Sequence, residues 1–149
     1  MTLSERINED LKTAMKSGDQ IRLMTVRSIR AQLIELSKRD VAKALTPEDE
    51  TSALMTAAKK RKEAIEMYEK AGRKELVDQE QKELEIIQTY LPKQMTREEA
   101  EQVVARFVVE TGSSSPKDLG KVMPLAMKEL KGKIDGKIVQ ELVKQKLGG

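Results

Sequence analysis

Apolar residues recur every three or four positions along most of the chain, which is the spacing of one face of an α-helix. Near the start this pattern runs through Leu3, Ile7, Leu11 and Met15, with mostly polar and charged residues between them. No segment of useful length alternates apolar and polar residues as a half-buried β-strand does. The hydrophobic pattern therefore predicts an all-α fold.

Residues that cap or break helices divide the first part of the pattern into four helices. Gly18 suits the end of the first helix, and Asp19 can cap the second. The sequence Thr-Pro-Glu-Asp at 46–49 combines a cap, a first-turn proline and an acidic first turn, which marks the start of the third helix. Gly72 ends that helix, and a fourth is expected to run to Pro92.

Pro92 is also the predicted boundary between two domains, because a proline ends a helix and the charge balance changes beyond it. We assign residues 1–92 to an N-terminal four-helix bundle. Residues 93–149 are assigned to a small C-terminal three-helix module.

Three further start signals divide the C-terminal module into helices. Thr-Arg-Glu-Glu at 96–99 is a capping box, Ser-Pro-Lys-Asp at 115–118 repeats the cap-and-proline start, and Asp135 can cap the last helix. Pro124 falls inside the sixth helix, where a proline removes one hydrogen bond and clashes with the preceding turn. We expect a kink there; the alternative is that Pro124 begins a separate segment.

The chain contains neither cysteine nor histidine. A disulfide framework, a Cys/His zinc site and the Ser-His-Asp or Cys-His catalytic arrangements are therefore excluded. We assign no catalytic residue, no metal site and no cofactor. The sequence has neither a signal-peptide pattern nor an apolar run long enough for a membrane span, so we expect a cytoplasmic protein.

The net charge of +3 comes entirely from the second domain. Residues 1–92 carry 17 basic and 17 acidic side chains, whereas residues 93–149 carry 11 basic and 8 acidic ones. Such an excess favours an anionic partner, although a solubilising basic face explains the same composition. Aromatic residues are too few for base stacking, which leaves phosphate and shape recognition of folded RNA. The candidate RNA contacts are Lys117, Lys121, Lys128, Lys131, Lys133 and Lys137.

Two other groups of residues have a functional and a structural interpretation. The run Lys-Lys-Arg-Lys at 59–62 is either a phosphate-contacting patch or, as we favour, a solvated helix face. Glu80 and Glu83 are paired carboxylates of the kind that carry out acid–base chemistry, but ion pairing with neighbouring helices explains them better. Tyr68 and Tyr90 lie on apolar stripes and are expected to be core residues with hydrogen-bonded hydroxyls.

Several short segments, taken in order, resemble the YqeY family along nearly the whole chain. They are Lys-Arg-Lys-Glu-Ala-Ile-Glu-Met-Tyr at 60–68, Ala-Gly-Arg at 71–73, the helix with Glu80 and Glu83, Tyr-Leu-Pro at 90–92, Gly-Lys-Val-Met at 120–123, Lys-Gly-Lys at 131–133 and Asp-Gly at 135–136. That family is similar to the helical tail of the GatB subunit of the tRNA-dependent amidotransferase. The resemblance implies an N-terminal helical bundle, a smaller C-terminal module and contact with tRNA.

By this resemblance Lys121 and the turn at 131–133 become tRNA contacts. The positions that match the family pattern but also suit a structural role are Arg61, Tyr68, Arg73, Glu80 and Glu83. The catalytic portion of the amidotransferase, with its ATP and metal site, has no counterpart in these residues, and neither has the glutaminase machinery.

We therefore expect a tRNA-binding accessory protein that performs no chemistry of its own. The alternative is a subunit or regulator of a glutamine-dependent tRNA amidotransferase, with carbon–nitrogen ligase activity only in a complex. A third interpretation gives the N-terminal bundle a role in binding other proteins. The partners implied are tRNA and amidotransferase or aminoacyl-tRNA machinery, and no membrane.

Overall fold

The apolar pattern folds into seven α-helices and one short 3₁₀ turn within residues 1–148, which are the residues that the computed structural model describes. No strand occurs in this part of the chain, so the predicted all-α fold is confirmed. The helices are α1 (Leu3–Ser17), α2 (Gln20–Arg39), α3 (Pro47–Lys70), α4 (Lys74–Gln88), α5 (Arg97–Glu110), α6 (Leu119–Leu130) and α7 (Gly136–Lys146), with the 3₁₀ turn at Pro116–Asp118 before α6.

Local side chains fix where the helices begin, as the sequence signals predict. Thr46 accepts a hydrogen bond from the backbone N–H of Asp49, whose carboxylate accepts one from the N–H of Thr46. The same capping box is formed by Thr96 and Glu99 at α5. Each box satisfies backbone N–H groups that the helix leaves unpaired.

Helix α4 ends at Gln88, earlier than the predicted end at Pro92. The backbone N–H groups of Thr89 and Tyr90 bond to carbonyls three residues back, which tightens the last turn, and the Thr89 hydroxyl donates to the Ile86 carbonyl at 2.6 Å. A residue that precedes a proline is also disfavoured in helical conformation. The helix therefore closes before it reaches the proline.

Helix α6 differs from the prediction in two ways. The cap at Ser115 opens the 3₁₀ turn rather than the α-helix itself, which begins at Leu119. Helix α6 then continues through Pro124, so the alternative of a separate segment is wrong, whereas the kink stays a prediction. Pro124 and Gly120 are both exposed, which lets water take the bond that the proline cannot donate to the Gly120 carbonyl.

Packing divides the chain into two compact units, Met1–Pro92 and Lys93–Gly149. In the first, α1 packs on α2, α3 packs on α4, and α2 also contacts α3 and α4. Its core is aliphatic and includes the buried side chains Ile7, Val26, Ile29, Leu54, Leu84 and Ile87.

A polar group closes the first unit where α1 meets the end of α4. The Tyr90 hydroxyl donates to the Asp10 carboxylate, and the Arg6 guanidinium lies 4.7 Å from the centre of the Tyr90 ring and donates to the Thr89 carbonyl at 2.7 Å. Burial raises the pKa of Tyr90, and the hydrogen bond to the charged Asp10 raises it further, so the hydroxyl remains a donor. The expectation of a core tyrosine with a bonded hydroxyl is confirmed for Tyr90.

In the second unit α5, α6 and α7 all contact one another. Their shared core includes the fully buried side chains Ala100, Val104, Val122, Ala126, Leu130, Leu142 and Val143. The segment that leads into α5 is tied to the turn between α6 and α7: the N–H of Met95 donates to the Lys133 carbonyl at 2.8 Å, and the Gln94 amide donates to the Gly132 carbonyl at 2.8 Å. Each unit thus has its own core.

None of the helices described in residues 1–148 combines the length and the apolar character that crossing a membrane would require.

The buried position of Ile87 makes it a test of the first core. Ile87 is 0% exposed, so Ile87→Ala should lower the free energy of unfolding by about 2–5 kcal/mol, because it removes apolar contacts and leaves a cavity. Met67 is 66% exposed, and Met67→Ala should change stability by less than about 0.5 kcal/mol. Urea unfolding followed by circular dichroism measures both. Equal effects in the two variants would contradict the core assignment.

Candidate nucleic-acid interface

Four of the six candidate lysines line up along the outer side of α6 and the turn before it. Lys121, Lys128 and Lys131 are four, eleven and fourteen residues after Lys117, and all four are exposed. At 3.6 residues per turn, the last three fall within an arc of about 80° and span about 15 Å along the axis. We call Lys117, Lys121, Lys128 and Lys131 the α6 stripe.

The other two candidates, Lys133 and Lys137, do not share this helix face. Lys133 is half-buried in the turn after α6, where its backbone N–H donates to the Leu130 carbonyl at 3.0 Å. Lys137 is exposed in the first turn of α7, and its N–H donates to the Asp135 carboxylate at 3.0 Å. Their backbones are fixed by these bonds, whereas both side chains lie on elements that follow the stripe.

The acidic residues of this unit mostly pair with basic residues outside the candidate set. The pairs are Arg97–Glu141 (3.2 Å), Arg106–Glu110 (3.8 Å), Arg106–Glu129 (3.6 Å) and Lys146–Glu101 (3.2 Å). Among residues 1–148, only Lys121 of the six candidates has an ion-pair partner, Asp118 at 3.4 Å. The excess positive charge of the unit is therefore concentrated on the candidate lysines.

Asp118 fixes the start of the α6 stripe. Its carboxylate accepts hydrogen bonds from the backbone N–H of Ser114 at 2.9 Å and of Ser115 at 3.3 Å. These bonds, with the nearby Lys121 ammonium, hold the pKa of Asp118 below its usual value. The carboxylate thus stays charged and orders the turn from which the stripe begins.

The sequence identified these lysines by type, but not their alignment. Projecting positions 117, 121, 128 and 131 at 100° per residue would have found the stripe, had α6 been taken as one helix. The projection also shows that Pro124 and the 40%-exposed Leu125 lie between the lysines along the axis. The α6 stripe is thus a basic surface with a small apolar centre.

The family-pattern residues all belong to the first unit. Arg61 and Tyr68 lie half-buried on α3, Arg73 joins α3 to α4 and pairs with Glu75 at 2.8 Å, and Glu80 and Glu83 lie on α4. The structure brings three of them together electrostatically. Burial raises the pKa of Glu83, the charge of Glu80 raises it further, and Arg61 partly offsets both.

This cluster has the features of a structural group rather than of an acid–base pair. Glu83 is only 9% exposed and packs at the closely packed α3–α4 contact. No group of three or more acidic side chains that could hold a metal occurs in the described part of the chain. In the run at 59–62, Lys60 and Lys62 are exposed, whereas Arg61 faces Glu83.

The model of the family described as Yqey-like protein matches residues 4–147 of the chain. A protein of Pyrenophora tritici-repentis (strain Pt-1C-BFP), named Altered inheritance of mitochondria protein 41, mitochondrial, is 31% identical over 146 residues, which cover 96% of this chain and 80% of that protein. The protein of the same name from Lachancea thermotolerans is 33% identical over 116 residues, covering 74% of this chain and 60% of its own length.

A third relative is a subunit of the glutamyl-tRNA(Gln) amidotransferase of Methanospirillum hungatei. It is 32% identical over 145 residues, which cover 96% of this chain and 20% of the relative. The chain therefore corresponds to about one fifth of that protein.

The raised pKa of Glu83 predicts a pH-dependent effect of Glu83→Gln. Between the unfolded value, about 4.3, and the higher folded value, the native state keeps a proton that the unfolded chain has lost. Wild-type stability attributable to Glu83 is therefore complete at low pH and decreases as the pH rises through this window. Glutamine does not titrate, so the stability of Glu83→Gln relative to wild type should increase with pH.

Urea unfolding of both proteins from pH 4 to pH 8 measures this difference. Glu66→Gln, at an exposed position of α3, is the matched control for the loss of one carboxylate. A difference between Glu83→Gln and wild type that stays constant, or decreases as pH rises, would show that burial does not disfavour the charged form.

Proposed function

This chain belongs to the YqeY-like family, and from that premise we propose that it is an accessory protein that binds tRNA and performs no chemistry of its own. The family resemblance predicted from the sequence is confirmed by the match over residues 4–147. We further propose that the two units act as domains, a four-helix bundle at 1–92 and a basic three-helix module at 93–149 that resembles the GatB tail. RNA contact is assigned to the second.

The observation that carries this proposal is the unneutralised charge of the candidate lysines. Five of the six have no ion-pair partner among residues 1–148, and four are aligned on the α6 stripe. Lysines that neutralise phosphates release counterions from the nucleic acid, which favours binding without any base-specific contact. A basic helical face with few aromatic neighbours suits the backbone of folded, double-helical RNA.

The amidotransferase relative supports tRNA as the RNA. That relative is named for glutamyl-tRNA(Gln), and this chain matches a part of it that makes up 20% of its length. A match of that size supports a shared accessory function rather than the activity of the whole relative. The cytoplasmic location stays a prediction, since two relatives are named as mitochondrial.

The same relative supports a second proposal, that the chain is a subunit or regulator of a tRNA amidotransferase. Carbon–nitrogen ligase activity with glutamine as donor would then appear only in the complex.

Salt dependence of tRNA binding tests the first proposal. For wild type, the association constant should fall steeply with salt concentration, and Lys121→Ala/Lys128→Ala should reduce the slope by about 1 for each phosphate that the variant no longer neutralises. Lys144→Ala/Gln140→Lys keeps the net charge of α7 and is the matched control. Absence of binding at low salt, or a slope that the stripe variant leaves unchanged, would overturn the proposal.

Glutamine-dependent amidation of misacylated tRNA tests the second proposal. The isolated protein should give no product, and its addition to a purified amidotransferase should change the initial rate. A rate that is the same with and without the protein, at concentrations that saturate any tRNA binding, would rule out the regulatory role.

A further inference from the structure

Helix α2 concentrates positive charge in a unit whose net charge is zero. It carries Arg22, Arg27, Arg30, Lys38 and Arg39 against the single acid Glu35, a net charge of +4. Helix α4 carries two basic and five acidic residues, a net charge of −3. The balance over residues 1–92 thus conceals two helices of opposite sign.

Three arginines of α2 have no partner within the described chain. Arg22 pairs with Asp19 at 3.6 Å, and Lys38 pairs with Glu35 at 3.7 Å. Arg27, Arg30 and Arg39 are exposed, and none of their side chains makes a hydrogen bond, ion pair or ring contact among residues 1–148. Their guanidinium groups are available to a partner.

Apolar side chains share the exposed side of α2 with these arginines. Met24 is 53% exposed and Ile34 is 43% exposed, and the small Ala31 lies between them along the helix. The spacing of three and four residues from Met24 to Lys38 keeps the set on one face, about 21 Å long. We call Met24, Arg27, Arg30, Ala31, Ile34 and Lys38 the α2 face.

We propose that the α2 face binds an amphipathic helix of a partner protein, in which acidic residues flank an apolar stripe. Met24 and Ile34 would pack on the apolar stripe, with Ala31 allowing close approach, while Arg27 and Arg30 would pair with the acids. Methionine and arginine are enriched at protein interfaces, and helices dock through residues at this spacing. This inference does not depend on the proposed tRNA binding.

Two other occupants fit the α2 face less well. The phosphates of an RNA would satisfy the arginines but would give no apolar partner to Met24 and Ile34. A second copy of this chain could offer α4, which has the complementary charge, but α4 has no exposed large apolar residue. The partner must therefore combine negative charge with apolar side chains.

The test uses the full chain and a fluorescent helical peptide of three heptads, with leucine at the a and d positions and glutamate at e and g. Wild type should bind with an affinity that weakens as salt increases. Arg27→Glu/Arg30→Glu should weaken binding by about tenfold or more, because it replaces attraction by repulsion. Lys12→Glu/Lys16→Glu, which makes the same change in net charge at exposed positions of α1, should bind as wild type does.

Met24→Ser/Ile34→Ser should also weaken binding and leave its salt dependence in place, which keeps the apolar part of the proposal testable by itself. No binding of the peptide at millimolar concentration, or equal losses in the α1 and α2 variants, would overturn the proposal. So would an Arg27→Glu/Arg30→Glu protein that loses tRNA affinity and keeps peptide affinity, since the face would then be an RNA contact. Concentration-dependent self-association abolished by the same variant would instead identify a second copy as the occupant.

Discussion

Each helix of this protein buries one narrow aliphatic stripe, and the rest of the structure depends on that constraint. Charged residues make up 36% of the chain and aromatic residues 2%, so the cores are assembled from Ala, Val, Ile and Leu. Small aliphatic cores stabilise a fold only when the stripes of several helices meet, since an isolated helix gains little by itself. More than half of each helix surface is then left to solvent, and the charges that it carries become the available means of recognition.

The parts of the fold that depend on neighbouring residues could be predicted from the sequence. The helices follow from the apolar period, and Thr46 and Thr96 mark helix starts because their capping bonds are made within one turn. The end of α4 was missed because it is set by a competition between the Thr89 hydroxyl, tightened backbone bonds and the approaching Pro92. A local pattern does not say which of these prevails.

The candidate site divides in the same way. Residue type alone pointed to the lysines beyond Lys117, but which of them lack an acidic partner depends on pairs that join distant positions, such as Arg106 with Glu129 and Lys146 with Glu101. The arginines of α2 were missed for the opposite reason. Charge summed over residues 1–92 cancels, and only the helix bounds show that the basic and acidic residues are segregated.

The two basic surfaces differ in chemistry, which argues for different partners. The α6 stripe is made of lysines, whose compact, strongly hydrated ammonium groups on flexible stems suit the diffuse field of a phosphate backbone. The α2 face relies on arginines, whose planar and weakly hydrated guanidinium groups pair with carboxylates and tolerate apolar neighbours such as Met24 and Ile34. A family member that binds nucleic acid with one unit and protein with the other would link the two without catalytic residues, since its function would consist in holding both partners at once.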